Sequence, residues 1–309
     1  MKNQNPYQLY QQLKDNYIQY YDSAFSLIDN ELMDERRNLL LEPERTFTQP
    51  IIELIPAYEP SKSIREVCLS TGYSNFIADQ IARAIFGTDH DGNFQLWEHQ
   101  AKTMFRALTT NDTMRHPIVT SSTGSGKTES FLLPLFARLL SEIEKYGEKP
   151  SPIFRWWDAD NNTLWANVRS QSKNKRPAAM RSMILYPTNA LVEDQMSRLR
   201  KAIRTLANEN PQLYFGRYTG NTDGKGPIPK TSNNLSLQPL KEVFREMERQ
   251  VDTFSEDEDI VNQLPDPRYG EMLTRWDMLQ SPPDILVTNY SMLNVMLMRE
   301  REEQIFEKT

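Results

Sequence analysis

The chain has 309 residues, with 38% hydrophobic and 25% charged residues, which is the balance of a globular protein with room for one large and one smaller domain. Its net charge of −6 excludes an all-over basic coat for nucleic acid, so any such contact has to use a local patch. A single cysteine, Cys68, excludes an internal disulfide. The polar N-terminus and the lack of a membrane-length apolar stretch predict a cytoplasmic protein with no membrane partner.

The sequence pattern of residues 1–90 predicts a small, mostly helical domain. Near its start, aromatic and apolar side chains recur at three- and four-residue spacing, which predicts a helix with one face packed on a core. These residues are Tyr7, Tyr10, Leu13, Tyr17 and Tyr20. Asp29 or Asn30 can cap a second helix that runs to Leu40.

Two further helix starts follow in the same region. Ser63 and Glu66 have the spacing of a capping box, and Ser74 can cap a helix that ends at Gly87. The turn between these two helices resembles that of a helix-turn-helix. The second helix offers only Arg83 as a cation, so a packing role is favoured over the reading of DNA bases.

Residues 91–309 alternate short apolar strands with helices, which predicts an α/β domain with a parallel sheet. The predicted strands are residues 118–120, 183–186, 213–218 and 285–288, and the predicted helices are residues 126–140 and 190–206. Two insertions interrupt the alternation. We expect residues 141–180, with three tryptophans, to fold onto a core, and residues 221–282, with the acidic run 256–259, to include a mobile loop.

The segment from Ser121 to Thr128, Ser-Ser-Thr-Gly-Ser-Gly-Lys-Thr, is the strongest signal of function. It lies between a predicted strand and a predicted helix, as a P-loop requires, although Ser121 stands where the general pattern has glycine. Glycines let backbone amides turn toward phosphates, and the helix start adds positive potential. The predicted nucleotide-binding residues are Ser122, Thr123, Gly124, Ser125, Gly126, Lys127 and Thr128, with Lys127 on the phosphates and Thr128 on Mg²⁺.

Gln100 lies 27 residues before Lys127, in the segment Leu-Trp-Glu-His-Gln. With the P-loop downstream, it resembles the glutamine motif of superfamily 2 helicases, whose amide pairs with adenine. The resemblance implies a RecA-like first motor domain of the DEAD/DEAH-box type, with ATP and Mg²⁺ as cofactors. A small-molecule kinase is an alternative that a P-loop by itself leaves open.

Three segments at predicted strand ends look like strand-binding motifs of these helicases. Residues 187–191 resemble motif Ia, residues 288–293 resemble motif Ib, and residues 218–220 resemble a backbone-contacting loop. Hydroxyl and amide groups at such ends suit nucleic-acid phosphates, and open α/β sheets bind ligands there. The implied nucleic-acid contacts are Pro187, Thr188, Asn189, Thr219, Gly220, Thr288, Asn289 and Ser291.

Residues 169–204 contain nine cations, which make this segment a candidate basic patch or a solvated loop and helix face. The cations are Arg169, Lys173, Lys175, Arg176, Arg181, Arg198, Arg200, Lys201 and Arg204. We assign Arg200 to the nucleic-acid surface.

Residues 184–195 and 275–286 further resemble the large bacterial YprA (MrfA)-like helicases, a group that includes antiphage-defence helicases of the DISARM and Druantia types. The resemblance covers roughly residues 92–309 and implies ATP-driven movement along a single strand, DNA by family preference, with possible defence-system proteins as partners. The cysteine cluster of the YprA relatives is absent.

After Lys127, no apolar run ends in the Asp-Glu pair that such motors use for hydrolysis. We therefore expect the N-terminal part of a longer helicase: an incomplete first motor domain at residues 91–309, inactive by itself and completed by a C-terminal motor half in the same or a separate chain. The alternative is a nucleotide-binding partner or regulatory module that acts through protein contacts.

Overall fold

The computed structural model describes residues 5–51, 58–109, 116–147, 152–159, 163–169, 176–207, 213–228 and 237–307. The chain divides into two compact units, Met1–Ala57 and Tyr58–Thr309. This division differs from the boundary predicted near residue 90, because Ile64, Ile77 and Ile81 are buried in the same core as later helices. Among the described residues, no helix is both long and apolar enough to cross a membrane.

The first unit contains helix α1, Pro6–Ala24, and helix α2, Asn30–Leu41. Asp29 caps α2 as predicted. Asp22 accepts hydrogen bonds from Arg36 and Arg37 at 2.9 and 2.7 Å. The predicted core-facing role of the aromatic stripe on α1 is wrong: neither helix has a buried residue, because the described part of this unit offers α1 only α2 and the segment after it.

The second unit begins with two strands and three helices that form one side of its larger core. They are β1, Pro60–Ser63, α3, Ile64–Ser70, α4, Asn75–Phe86, β2, Gln95–Trp97, and α5, Glu98–Leu108. The capping box between Ser63 and Glu66 is present, and Ser74 caps α4, which ends at Gly87 as predicted. The apolar face of α4 is buried, which confirms the packing role of this helix.

The remaining elements build a parallel sheet with helices on both faces, so the predicted α/β fold class is confirmed. In chain order they are α6, Lys127–Tyr146, β3, Ser182–Tyr186, α7, Asn189–Ala207, β4, Phe215–Tyr218, α8, Gln238–Thr253, α9, Glu258–Gln263, β5, Glu271–Met272, α10, Arg275–Gln280, β6, Ile285–Asn289, α11, Tyr290–Leu297, and α12, Glu300–Glu307. The strand order is β3-β6-β4-β5. Ile285 and Val287 face one apolar core and Leu286 faces the other, as alternation along a doubly covered strand requires.

The strand predicted at residues 118–120 is absent. No strand is assigned there, and Ile118 is 90% exposed. A three-residue apolar segment becomes a strand only when a neighbouring strand accepts its backbone hydrogen bonds, and none of the described strands pairs with it. The predicted helix after it is present as α6.

The two insertions both carry ordered structure. Trp156 and Trp157 are buried against Phe244 of α8, which confirms that the first insertion folds onto a core. The prediction of a mobile loop within residues 221–282 is wrong for its described part, because α8, α9, β5 and α10 lie there. The acidic run starts α9, where Asp257 caps the helix.

Candidate nucleotide and nucleic-acid site

The P-loop has the backbone that its two glycines permit. Gly124 and Gly126 have φ values of +76° and +69°, in the left-handed region that side chains disfavour. Gly126 also precedes the first residue of α6, and a Cβ there would overlap the Gln100 amide and press on Trp97. Glycine is therefore required at 126 by both conformation and space.

Three side chains from earlier in the second unit hold the loop. Gln100 is 4% exposed; its Nε2 donates to the Gly126 carbonyl oxygen at 3.3 Å, and its Oε1 accepts from the Trp97 amide at 3.1 Å. His99 Nε2 lies 2.7 Å from the Ser125 carbonyl oxygen, which can only accept, so this nitrogen carries the proton. The Tyr58 and Ser122 hydroxyls lie 2.6 Å apart. Gln100 was predicted; Tyr58 and His99 were not.

Lys127 and Thr128 lie at the start of α6, beside a cavity of about 670 Å³. Lys127 Nζ donates to the carbonyl oxygens of Ser121 and Ser122 at 2.9 and 2.6 Å, so its charge is held over the loop. Thr128 and Tyr186 both line this cavity. This site offers the amides at the start of α6 and the Lys127 ammonium to phosphate oxygens, and the Thr128 hydroxyl to Mg²⁺. These groups fit a triphosphate with its magnesium ion.

The cavity wall adds residues that the sequence did not assign to the nucleotide site. On one side lie Phe86 and Phe94, whose rings stack with centroids 4.0 Å apart. On the other side lies Arg198 of α7, which pairs with Glu129 of α6 at 3.0 Å and with Asp194 at 3.3 Å. The Glu129–Arg198 pair joins the helix of the P-loop to the helix that begins at Asn189.

Tyr186, the last residue of β3, is a second link between the same two regions. Its hydroxyl donates to Gln195 Oε1 at 3.0 Å, and the residue lines the cavity together with Thr128. Burial, followed by the charge of Asp194, raises the pKa of Tyr186, so the hydroxyl stays protonated. Pro187 follows it directly, so a hydroxyl beside the P-loop is one residue from the predicted motif Ia.

The three predicted strand-binding segments lie side by side at the carboxyl ends of β3, β6 and β4. β6 pairs with β3 on one side and with β4 on the other, with Tyr186 opposite Asn289 and Tyr218 opposite Thr288. Asn289 Nδ2 donates to Asn189 Oδ1 at 2.6 Å, which ties the first two segments together. The sheet thus brings the predicted residues to one edge.

Each of these turns has an exposed tip and a buried base. The exposed residues are Pro187, Thr188, Asn189, Gly220 and Ser291. Thr288 is fully buried and its hydroxyl donates to the Tyr218 carbonyl oxygen at 2.6 Å, and Thr219 is also buried. This corrects the assignment of Thr288 and of the Thr219 side chain to direct contact: both support their turns. Asn289 is mostly buried, because its side chain also caps α11.

Arg200 is corrected in the same way. It is 4% exposed, and its guanidinium makes two hydrogen bonds to the Glu271 carboxylate, at 2.7 and 2.9 Å. Its Nη1 also donates to the Gln263 carbonyl oxygen at 3.0 Å, so the buried guanidinium is held inside by three hydrogen bonds and does not reach a phosphate on the surface. Arg200 is therefore a structural residue.

The other arginines of the predicted basic segment are also used internally. Arg169, Arg176 and Arg181 surround the buried carboxylate of Asp284, at 3.4, 2.9 and 3.1 Å. Lys173 and Lys175 lie outside the described residues. The segment is thus not a basic patch: buried carboxylates from distant elements pair with Arg169, Arg176, Arg181 and Arg200, whereas Arg198 and Lys201 lie on the exposed face of α7.

Comparisons with known proteins match the part of the chain that contains these residues. Residues 97–225 match the family model described as DEAD/DEAH box helicase, a range that includes Gln100, the P-loop and residues 187–189. Over 96% of its length the chain is 27% identical to Druantia protein DruE of Escherichia coli (strain UMEA 4076-1), of which the match covers 17%. The chain thus spans about a sixth of that relative's length.

The family match and the relative confirm the resemblance that Gln100, the P-loop and residues 184–195 indicate. The described sheet, with helices on both faces, is consistent with a RecA-like domain. Residues 97–225 are therefore similar to a DEAD/DEAH box helicase domain, and nearly the whole chain is similar to part of Druantia protein DruE.

Proposed function

We propose that this chain is the nucleotide-binding part of an ATP-dependent helicase or translocase that holds ATP-Mg²⁺ in the cavity beside α6 and one nucleic-acid strand along the carboxyl edge of the sheet. The observation that carries the proposal is the position of Tyr186. This residue ends β3, lines the cavity together with Thr128 of the P-loop and precedes Pro187 at the exposed edge, so the two sites are adjacent.

The nucleotide is bound by residues with distinct tasks. The amides of Thr123 to Lys127 and the Lys127 ammonium hold phosphate oxygens, and the Thr128 hydroxyl ligates Mg²⁺. Gln100 retains one N–H on Nε2 and one lone pair on Oε1 beyond its bonds to the protein, so its amide can pair with adenine. Bound ATP-Mg²⁺ supplies the phosphoryl group whose transfer to water drives such motors.

The strand is held by the exposed tips of the three turns. Thr188 and Ser291 supply hydroxyls, and Asn189 and Gly220 supply exposed polar backbone. These groups contact phosphates, which carry no base information, so binding at this edge is blind to sequence. A single DNA strand is preferred over RNA through the resemblance to the YprA-like group.

Hydrolysis is proposed to need groups beyond this chain. The carboxylates that line the cavity among the described residues are Glu129 and Asp194, and both pair with Arg198. We propose a second motor half in the same or a separate chain as the completing partner, negligible turnover by this chain by itself, and a role in antiphage defence in the cytoplasm, in line with the similarity to Druantia protein DruE.

Nucleotide binding tests the proposal through Lys127. Lys127→Ala removes a charged donor to phosphate, which is worth about 1.5–3 kcal/mol, so affinity for a fluorescent ATP analogue with Mg²⁺ should fall roughly 10–100-fold. Lys145→Ala, at the far end of the same helix, is the matched control and should bind as the wild type does. Equal affinity of Lys127→Ala and wild type would exclude this cavity as the site.

A strand-binding measurement separates the motor from the alternative, a nucleotide-binding module that acts through protein contacts. The motor proposal expects the full chain to bind a fluorescent oligo-dT with an affinity that falls steeply with salt. Nucleotide binding without any strand binding would favour the module.

A further inference from the structure

Glu129, which directly follows Thr128, has one carboxylate oxygen held by the protein and one that is not. Its Oε1 accepts from Arg198 Nη1 of α7 at 3.0 Å. Its Oε2 accepts no hydrogen bond from any of the described residues. An ionised carboxylate is an acceptor with about four lone-pair sites, so Oε2 keeps its full accepting capacity for a ligand.

The unpaired oxygen of Glu129 lies at the floor of the nucleotide cavity. A Cβ at Gly126 would lie 3.3 Å from Glu129 Oε2 and would overlap Gln100 Nε2, so both polar atoms lie beside the same glycine. Glu129 lines the cavity, and its side chain is 21% exposed. A ligand in the cavity can therefore reach this oxygen.

The polar groups of the cavity follow the order of the parts of a nucleotide. The proposed function assigns the base to Gln100 and the phosphates to Lys127 and the loop amides. The ribose connects base and phosphates, so it has to pass Gly126, where Glu129 Oε2 lies. A ribose carries two neighbouring hydroxyls that can donate, and acidic side chains bind such hydroxyls in dinucleotide-binding folds.

We infer that Glu129 recognises the ribose of the bound nucleotide, with its carboxylate as acceptor for the sugar hydroxyls, and thereby selects ribonucleotides. Arg198 is the positioning residue, because its guanidinium holds the other carboxylate oxygen and offsets the negative charge of Glu129 beside a triphosphate. The inference rests on the proposed function and deepens it, because the base and phosphate contacts leave the sugar without a partner.

A comparison of ATP with dideoxy-ATP, which lacks both ribose hydroxyls, tests this role. Each nucleotide, with Mg²⁺, displaces an ATP analogue labelled on its γ-phosphate from the full chain. Wild type should bind ATP about 10–100-fold more tightly than dideoxy-ATP, since hydrogen bonds to a charged acceptor are lost. Glu129→Ala should reduce this preference to about 2-fold or less, and Glu129→Gln, which keeps a neutral acceptor, to about 3–10-fold.

The preference also shows that the variants keep an intact cavity. Glu129→Ala should bind dideoxy-ATP at least as tightly as wild type does, whereas a misfolded site would lose both nucleotides. Glu144→Ala, an exposed glutamate near the other end of α6, is the matched control and should keep the wild-type preference.

Arg198 is tested by the same ratio of affinities. Arg198→Met leaves the carboxylate without its hydrogen-bond donor, so the preference for ATP should fall about 3-fold. Arg198→Lys keeps a cation that can donate to Oε1, so it should restore most of the preference. An ion pair that only joins α6 to α7 would leave the ratio at its wild-type value in Arg198→Met, and that result would overturn the positioning role.

The outcomes separate this inference from the proposed function. Failure of wild type to bind ATP would overturn both. Equal affinity of wild type for ATP and dideoxy-ATP would overturn ribose recognition and leave the nucleotide site standing. Ribose recognition would also be overturned if Glu129→Ala lowered the affinity for both nucleotides equally or kept the wild-type preference.

Discussion

The P-loop and the arginine-rich segment at residues 169–204 differ in what their charged groups do. Lys127 is exposed and donates to the loop carbonyls beneath it, whereas Arg200 is buried in a bidentate pair with Glu271. Both residues were predicted to meet phosphates, Lys127 from the P-loop pattern and Arg200 from the cation-rich segment around it. The comparison teaches that a motif defined by backbone conformation predicts a site, whereas a count of cations does not say where their partners lie.

The largest expected effect is on the free energy of unfolding and comes from replacing Arg200, the buried residue of the two. Arg200→Met leaves the Glu271 carboxylate buried without its cation, which should lower the free energy of unfolding in urea by about 3–5 kcal/mol. Lys201→Met, at the next, exposed position of α7, should change it by roughly 0.5 kcal/mol or less. Weaker strand binding at unchanged stability would instead return Arg200 to the nucleic-acid surface.

Asp277 sharpens the comparison because it is a buried carboxylate with hydrogen bonds in place of an arginine partner. Burial raises its pKa from the usual value to about 6, against hydrogen bonds from Thr274 and the Val168 amide that lower it. The folded chain therefore keeps a proton that the unfolded chain releases above about pH 4.

Stability from this group is accordingly present at low pH and lost as the pH rises from about 4 to about 6. Relative to Asp277→Asn, the wild type should lose about 2 kcal/mol of unfolding free energy over that window, measured by urea unfolding at several pH values. A difference between the two proteins that is constant with pH would show that Asp277 titrates normally.

The smallest effects are expected from substitutions of two threonines at the sheet edge. Thr188 lies at the exposed tip of its turn, and Thr288 lies at the buried base of its turn. Thr188→Val removes an exposed hydroxyl, so strand affinity should fall about 3-fold with stability unchanged. Thr288→Val removes the donor to the buried Tyr218 carbonyl, so the unfolding free energy should fall by about 1 kcal/mol. Weaker strand binding in Thr288→Val, with lower stability in Thr188→Val, would show that Thr288 contacts the nucleic-acid strand and that Thr188 does not.

The parts of the fold predicted from sequence are those decided by neighbours in the chain. The capping box at Ser63, the cap at Asp29 and the loop with Gly124 and Gly126 depend on residues within a few positions, and all are present. α8 escaped prediction because a polar stretch becomes a helix here by packing Phe244 on distant tryptophans.

Within the site, sequence predicted the residues of the P-loop but not the residues that support it. Tyr58 reaches Ser122 across 64 residues, and Arg198 reaches Glu129 across 69, so no local pattern marks either contact. Motif resemblance also assigned all residues of each turn to contact with the nucleic-acid strand. It could not separate exposed Ser291 from buried Thr288, because that difference depends on how β6 lies beside β4.

Hydrogen–deuterium exchange with and without a slowly hydrolysed ATP analogue and Mg²⁺ tests most directly that this cavity binds the nucleotide. Exchange should slow at residues 122–130 and 97–100, which meet at the cavity, and stay unchanged along α8. Slowed exchange elsewhere, with none at residues 122–130, would contradict the assignment of the site.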